Sequence, residues 1–238
     1  MSLRRILRKL RHLIRKPPKY ASDLVSDYDQ YLRLQREQFL SHEADEELWA
    51  NGLRRFVRLA FEKVDPTVRV LDCACGDGVG LSELREMGFR DGVGVELASG
   101  KAARARALGF RVEEGDMHNL EFLDDCSFDA VLSSHTLEHA YEPARALAEL
   151  RRVLVPGGLL CVALPYPDPS PRNELAHTAK YELGTNLDDG GAAVTRFFTE
   201  RGFESIETRF DTVRESEIWL FLRKALKERG ASGLPSIP

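Results

Sequence analysis

Short apolar runs recur through the middle of the chain, and each ends in a polar or acidic residue. Val70 and Leu71 lead into Asp72, and Val93, Gly94 and Val95 lead into Glu96. Val112 precedes the acids around Gly115 and Asp116, and residues 128–132 run into Ser133, Ser134 and His135. A fifth run covers residues 159–164. Short apolar runs bounded by turn residues read as buried strands. The segments between them carry apolar residues at helical spacing; residues 144–154 form one such helix, expected to stop at Pro156-Gly157-Gly158 before the fifth strand. Strand and helix alternating in this way predicts a mostly parallel sheet with helices on both faces.

The flanks read differently. Residues 28–41 and 46–63 are helical in pattern, the second with Leu48, Trp49, Leu53, Phe56, Val57, Leu59 and Ala60 as its apolar stripe, and Asp65-Pro66 closes it. Downstream, Pro165-Tyr166-Pro167-Asp168-Pro169-Ser170-Pro171 predicts a rigid loop. A polar segment over residues 173–189 follows, then a helix over 192–201, strands over 204–210 and 217–222, and a fraying tail. At the other end, Leu3, Ile6, Leu7, Leu10, Leu13 and Ile14 repeat at helical spacing until Pro17-Pro18. Basic residues fill the opposite face, which suits contact of residues 1–19 with an anionic membrane or with a partner protein. The segment lacks the long apolar stretch and small-residue cleavage site of a secretory signal.

Charge sharpens this division. Residues 1–20 hold eight basic residues and no acid, so the formal charge of −4 conceals a body with 26 basic and 38 acidic residues, or −12. An acidic body disfavours nucleic acid as a partner. At 238 residues the chain accommodates one α/β domain with appended structure, and no run is long enough to span a bilayer. Cys73, Cys75, Cys126 and Cys161 follow no disulfide or zinc spacing, and predict buried, reduced thiols in a cytoplasmic protein, peripheral at the inner membrane surface only through its first helix.

The stretch Val70-Leu71-Asp72-Cys73-Ala74-Cys75-Gly76-Asp77-Gly78-Val79-Gly80 carries the most chemistry. Gly76 and Gly78 let backbone approach a ligand with no Cβ in the way, and the next helix points its N-terminus at the same place. Glu96, one βαβ half-turn later, stands where a carboxylate accepts both hydrogens of a ribose diol. Together with Ser127-Phe128-Asp129-Ala130-Val131, Leu137-Glu138-His139 and Glu149-Leu150-Arg151-Arg152-Val153-Leu154-Val155-Pro156-Gly157-Gly158, these segments resemble class I S-adenosylmethionine-dependent methyltransferases, especially their small-molecule, type 11 group, over residues 66–166. The family's loop reads Asp-x-Gly-x-Gly-x-Gly. Ala74 replaces its first glycine, at a position expected not to need a left-handed backbone.

The resemblance implies a Rossmann-like seven-stranded, mostly parallel sheet with helices on both faces, plus an N-terminal helical extension. It divides the chain into a basic helix (1–20), a helical cap (21–65), an S-adenosylmethionine-binding domain (66–225) and a flexible tail (226–238). By the same resemblance Asp72 organises the loop and the methionine moiety, while Ala74, Gly76 and Gly78 present backbone to the cofactor. Glu96 holds the ribose hydroxyls, Asp116 accepts from the adenine amine, and the Met117 N–H donates to the ring, whose face Met117 or Leu97 covers. Ser134 lies where cofactor and acceptor meet. His135 is a catalytic candidate, since a histidine there can take a proton near neutral pH. His177 is the second, in a polar segment that often forms a lid over the acceptor in this family. His139 is read as structural, bonded to backbone.

The implied reaction moves a methyl group to a small-molecule acceptor such as a carbohydrate, a lipid-linked intermediate or a secondary metabolite, and requires no metal. An NAD(P)-dependent oxidoreductase would share the strand, turn and ribose acid, but Leu81 stands where its third glycine belongs. A catalytically silent cofactor-binding scaffold is the other alternative, against which the acids Asp72, Glu96 and Asp116 argue.

Overall fold

The computed structural model describes residues 27–40, 46–169, 177–213 and 215–226. The basic helix expected over residues 1–20 and nearly all of the expected tail lie outside the described residues. Two helices, α1 (Tyr28–Leu40) and α2 (Glu46–Phe61), precede the sheet. Then follow β1 (Arg69–Cys73), α3 (Val79–Glu86), β2 (Asp91–Glu96), α4 (Ser99–Ala107), β3 (Arg111–Glu114) and β4 (Phe128–Ser134). After a 3-10 turn at Leu137–His139 come α5 (Pro143–Val153), β5 (Leu154–Pro165), α6 (Lys180–Leu183), α7 (Ala192–Thr199), β6 (Phe203–Asp211) and β7 (Glu217–Lys224).

The seven strands form one sheet in the order β3-β2-β1-β4-β5-β7-β6. The pairs among β1 to β5 are parallel, and β7 runs antiparallel to both β5 and β6. The order turns back between β1 and β4, and at that switch point a crevice opens beyond the carboxyl ends of the strands.

Alternation along the strands loads both faces. Val70, Ala130, Leu132, Cys161, Ala163, Trp219 and Phe221 point to one side, where Leu53, Phe56, Val57 and Ala60 of α2 and Leu84 of α3 cover them. Leu71, Val93, Val131, Leu160, Val162 and Leu220 point to the other, under Leu147 and Leu150 of α5 and Phe197 and Phe198 of α7. Burial on both faces is why the central strands read as near-continuous apolar runs.

Two expectations change. The Pro156-Gly157-Gly158 stretch lies inside β5, not before it: α5 ends at Val153 and the strand starts at Leu154. A Cβ on Gly158 would stand 2.9 Å from the Val155 carbonyl oxygen and 3.0 Å from that of Asp129, and Gly157 has φ +80°. The glycines let β5 bend past β4, where the pairing slips between Phe128 and Ala130. Cys126, expected to be buried, is exposed in a left-handed turn at φ +51°, whereas Cys73, Cys75 and Cys161 are buried.

Candidate functional site

The glycine-rich turn joins β1 to α3 and is tied to the end of β2. Cys75 N–H donates to the Val95 carbonyl at 3.0 Å, and Gly76 N–H donates to Glu96 Oε2 at 2.8 Å. The other Glu96 oxygen accepts from Ala98 N–H at 2.8 Å. Glu96 is thus a buried clamp holding the turn and the start of α4, with a second lone pair on each oxygen still available. A Cβ at Gly76 would meet nothing within 4 Å, so the turn presents bare backbone to open space. Gly78 adopts φ +85° as it starts α3. At Gly80 a Cβ would come within 2.5 Å of Asp72 Oδ2, so this position has no room for a side chain. Ala74 is a correction: its φ is +64°, left-handed after all. Its side chain is exposed, which limits the penalty to about 1–2 kcal/mol of backbone strain.

Asp72 is almost fully buried, and its Oδ2 has no hydrogen-bond partner. Burial, followed by repulsion from Glu96, pushes its carboxyl up to about 7. It holds the loop by packing under Gly80, not by the bonds of an ordinary ionised cap.

At the end of β3, Asp116 faces a cluster of rings. Its Oδ1 accepts from the His118 N–H at 3.1 Å and lies 2.7 Å from His118 Nδ1. The Nε2 of His118 lies 3.1 Å from Tyr141 N and 3.3 Å from Glu142 N, and accepts from those N–H groups. Nε2 is therefore the acceptor, and Nδ1 carries the proton that goes to Asp116. The Tyr28 hydroxyl of α1 donates to Asp116 Oδ2, and Tyr28 stacks on Tyr31 at 5.6 Å. Burial raises the Asp116 carboxyl, but the donors from His118 and Tyr28 outweigh it and hold it below the ordinary carboxylate range. Burial and Asp116 together push the Tyr28 hydroxyl upward. Met117 packs partly buried against the core, and Leu97 is half-buried beside Glu96. Buried His118 escaped the sequence reading because nothing in Asp116-Met117-His118-Asn119 marks its ring as the group that aims Asp116.

The third part lies at the end of β4. Ser134 and His135, with Trp49, Gly52, Leu53 and Phe56 of α2 and with Glu217 of β7, line a shallow pocket. Trp49 both packs on the sheet side and borders this pocket. His135 has φ +50°, and its N–H donates to the Ala163 carbonyl at 2.9 Å. Its ring sits between carboxylates: Nδ1 is 3.3 Å from Glu138 Oε1, and Nε2 is 3.4 Å from Glu217 Oε1. Burial disfavours its charge, yet the flanking carboxylates of Glu138 and Glu217 raise it to about 9. So placed, His135 is a cation at neutral pH and a hydrogen-bond donor, not the proton acceptor expected at this position.

His177 lies beyond the proline-rich loop, with Nδ1 2.6 Å from Oδ2 of buried Asp168. It also meets the His139 ring edge-on at 5.2 Å. The Tyr31 hydroxyl donates to the main-chain carbonyl of His139 at 2.7 Å. The His139 ring adds what the sequence did not indicate, since its Nε2 is 3.8 Å from Glu138 Oε1. With His118, the residues Glu138, Asp168 and Glu217 belong to the site without having been assigned a role from the sequence.

Residues 71–162 match the family of the methyltransferase domain. The chain is 40% identical over 114 residues to the demethylmenaquinone methyltransferase of Renibacterium salmoninarum, covering 46% of this chain and 47% of that one. It is 40% identical over 116 residues to the phthiotriol/phenolphthiotriol dimycocerosates methyltransferase of Mycobacterium tuberculosis, covering 45% and 40%. The matched segment thus spans less than half the length of either relative. Among solved structures, the fold is similar to that of Burkholderia thailandensis 1,6-didemethyltoxoflavin-N1-methyltransferase with bound 1,6-didemethyltoxoflavin and S-adenosylhomocysteine. The TM-score is 0.64 at 16% identity, over 84% of this chain and 92% of that one. No helix among the described residues is long and apolar enough to cross a membrane.

Proposed function

We propose that this chain, whose residues 71–162 match the methyltransferase domain family, is a class I S-adenosylmethionine-dependent methyltransferase that methylates a small-molecule acceptor. The observation that carries the reading is the row of strand ends: open backbone at Gly76, the carboxylate of Glu96 and the carboxylate of Asp116 follow one another along β1, β2 and β3. A ribose diol and an adenine amine both require acceptors, and these two acids supply them. When bound, S-adenosylmethionine would supply an electrophilic methyl group to a nucleophilic atom of the acceptor.

The chain's own groups then bind, orient and exclude water. Gly76 and Gly78 let backbone approach the methionine moiety beside Asp72, with Ala74 in the same turn. Met117 and Leu97 flank the adenine. Ser134, His135 and His177 define the acceptor end, where orientation alone contributes roughly 7–11 kcal/mol to an in-line displacement. The same reading has residues 21–65 as a cap and residues 1–19 as a basic contact to an anionic membrane surface or a partner protein. It is supported by the eight basic residues that precede an acidic body.

Calorimetric titration of the full chain with S-adenosylmethionine, S-adenosylhomocysteine and NADH tests this. The first two are expected to bind and NADH is not, and Asp116→Ala is expected to abolish the heat. Binding of NADH in their place would return the site to an oxidoreductase, and silence toward all three would leave a scaffold.

Tyr28 adds a second expectation. Its hydroxyl occupies the Asp116 oxygen that an adenine amine would need. An adenine amine that takes the place of this hydroxyl displaces a hydrogen bond to a charged group, worth about 1.5–3 kcal/mol. Tyr28→Phe is therefore expected to tighten S-adenosylhomocysteine binding by about tenfold. A weaker affinity in this variant would make the hydroxyl a cofactor ligand and sink the displacement.

A further inference from the structure

Beside the acceptor pocket lies a constellation that the metal-free expectation does not use. Glu138, His139 and His177 each offer one ligand atom, and these atoms lie within 4.8 Å of one another. They come from two elements that the backbone pins together. The 3-10 turn holds Glu138 and His139, closed by His139 N–H to the Thr136 carbonyl at 3.0 Å. The segment carrying His177 docks on that turn through Ala179 N–H to the Glu138 carbonyl at 3.0 Å and Thr178 Oγ1 to the Ala140 carbonyl at 2.9 Å.

Two features distinguish this from a chance meeting of polar groups. Glu138 is 1% exposed, and neither of its carboxylate oxygens has a hydrogen-bond partner. The nearby ring nitrogens of His135 and His139, at 3.3 and 3.8 Å, stand beyond good hydrogen-bond contact. The charge of Glu138 is met only by these loose ion pairs, which leaves its lone pairs open to a closer cation. The second feature is His177, whose Nδ1 is engaged by Asp168 at 2.6 Å. A carboxylate on one ring nitrogen fixes the tautomer and turns the lone pair of the other nitrogen outward, as metal-ligating imidazoles require. The adjacent group of His135, Glu215 and Glu217 also meets the distance. It is the weaker candidate, because Glu217 already accepts from Trp219 Nε1 at 2.8 Å and the Glu215 side chain is 46% exposed.

We propose that Glu138, His139 and His177 bind a divalent first-row metal ion such as Zn²⁺ or Mn²⁺, with Asp168 orienting His177, and that the open positions of the ion take a hydroxyl oxygen of the acceptor. Two imidazoles and one carboxylate match the preferences of such ions and leave coordination positions free. A hydroxyl bound there gives its proton to solvent water and is held as an oxygen nucleophile. The acceptor class narrows to hydroxyl-bearing compounds and the reaction to O-methylation. This rests on the methyltransferase reading above.

The test uses the full chain, stripped with chelator and dialysed against Co²⁺, Mn²⁺ or Zn²⁺. Bound metal is counted by mass spectrometry, the Co²⁺ absorption spectrum is recorded, and S-adenosylhomocysteine affinity is measured on the same samples. One ion per chain is expected. Glu138→Gln and His177→Ala should each weaken it by about tenfold or more, and Asp168→Asn by about 10–100-fold, with S-adenosylhomocysteine affinity unchanged in all three. Wild-type chain that binds S-adenosylhomocysteine but none of the three ions overturns the metal site and leaves the methyltransferase reading standing. Equal metal binding by wild type, Glu138→Gln and His177→Ala overturns it as well. Metal lost in those variants, from a chain that never binds S-adenosylhomocysteine, would keep the site and overturn the methyltransferase reading, and with it the hydroxyl acceptor.

Discussion

Replacing Glu96 by alanine is expected to weaken S-adenosylhomocysteine binding by about 10²–10³-fold, corresponding to roughly 3–4 kcal/mol. Two losses combine. The ribose hydroxyls lose an ionised acceptor in a buried setting, where a charge-assisted hydrogen bond is about twice as strong as a neutral one. The turn also loses its clamp, since Glu96 holds the N–H groups of Gly76 and Ala98 at 2.8 Å each. Those two donors are left unpaired, and the turn backbone that must lie against the cofactor loosens. Glu96→Gln separates the losses. Its amide oxygen keeps one backbone bond while its NH₂ repels the other donor, so its affinity should fall between wild type and alanine. Calorimetry reads the affinity, and urea unfolding checks that each variant folds. A folded Glu96→Ala chain with wild-type affinity would remove Glu96 from the cofactor site.

The second large effect concerns pH. Asp72 titrates near 3.9 in an unfolded chain and at about 7 in the folded one, because burial and Glu96 disfavour its charge. Below about pH 4 both states hold the proton, and Asp72 imposes no penalty. As pH rises from there to about 7, the unfolded chain releases the proton while the native chain keeps it. Stability then falls by about 1.4 kcal/mol per pH unit, to a total near 4 kcal/mol. Asp72→Asn cannot ionise, so it should lack this part of the slope and gain on wild type steadily as pH increases. Urea midpoints of both chains between pH 4 and 8 check it. Parallel curves would show that Asp72 is ionised in the native protein across that range.

Fold and site were legible in the sequence to different depths. β1, β2, β4 and the core of β5 were visible because strands buried on both faces must be apolar, and such runs end where the backbone meets solvent. Asp72, Glu96 and Ser134 at those ends, and Asp116 just past β3, were therefore legible too, being fixed by their offset from a strand that the sequence announces. Where a residue's setting depends on backbone geometry, the pattern misled. Ala74 was expected in an ordinary conformation and is left-handed, and Pro156-Gly157-Gly158 was expected to precede a strand and lies inside one. Neither glycine nor alanine reveals which neighbouring chain passes close by.

What the sequence determined by itself is the part built from local alternation: the strand and helix sequence, the two apolar faces, and a turn of open backbone with an acid beyond each of the next two strands. Only the tertiary structure decided the partners. Tyr28 reaches Asp116 across 88 residues. His118 turns one ring nitrogen to the same acid and accepts backbone N–H groups of Tyr141 and Glu142 on the other. His177 meets Asp168, Glu138 and His139 because β5 and the segment after it return to the end of β4. The physical reason is one of range. Apolar burial acts on every residue of an element and leaves a periodic trace, whereas a hydrogen bond or a candidate ligand set involves single atoms from separate elements. Its position along the chain obeys no period.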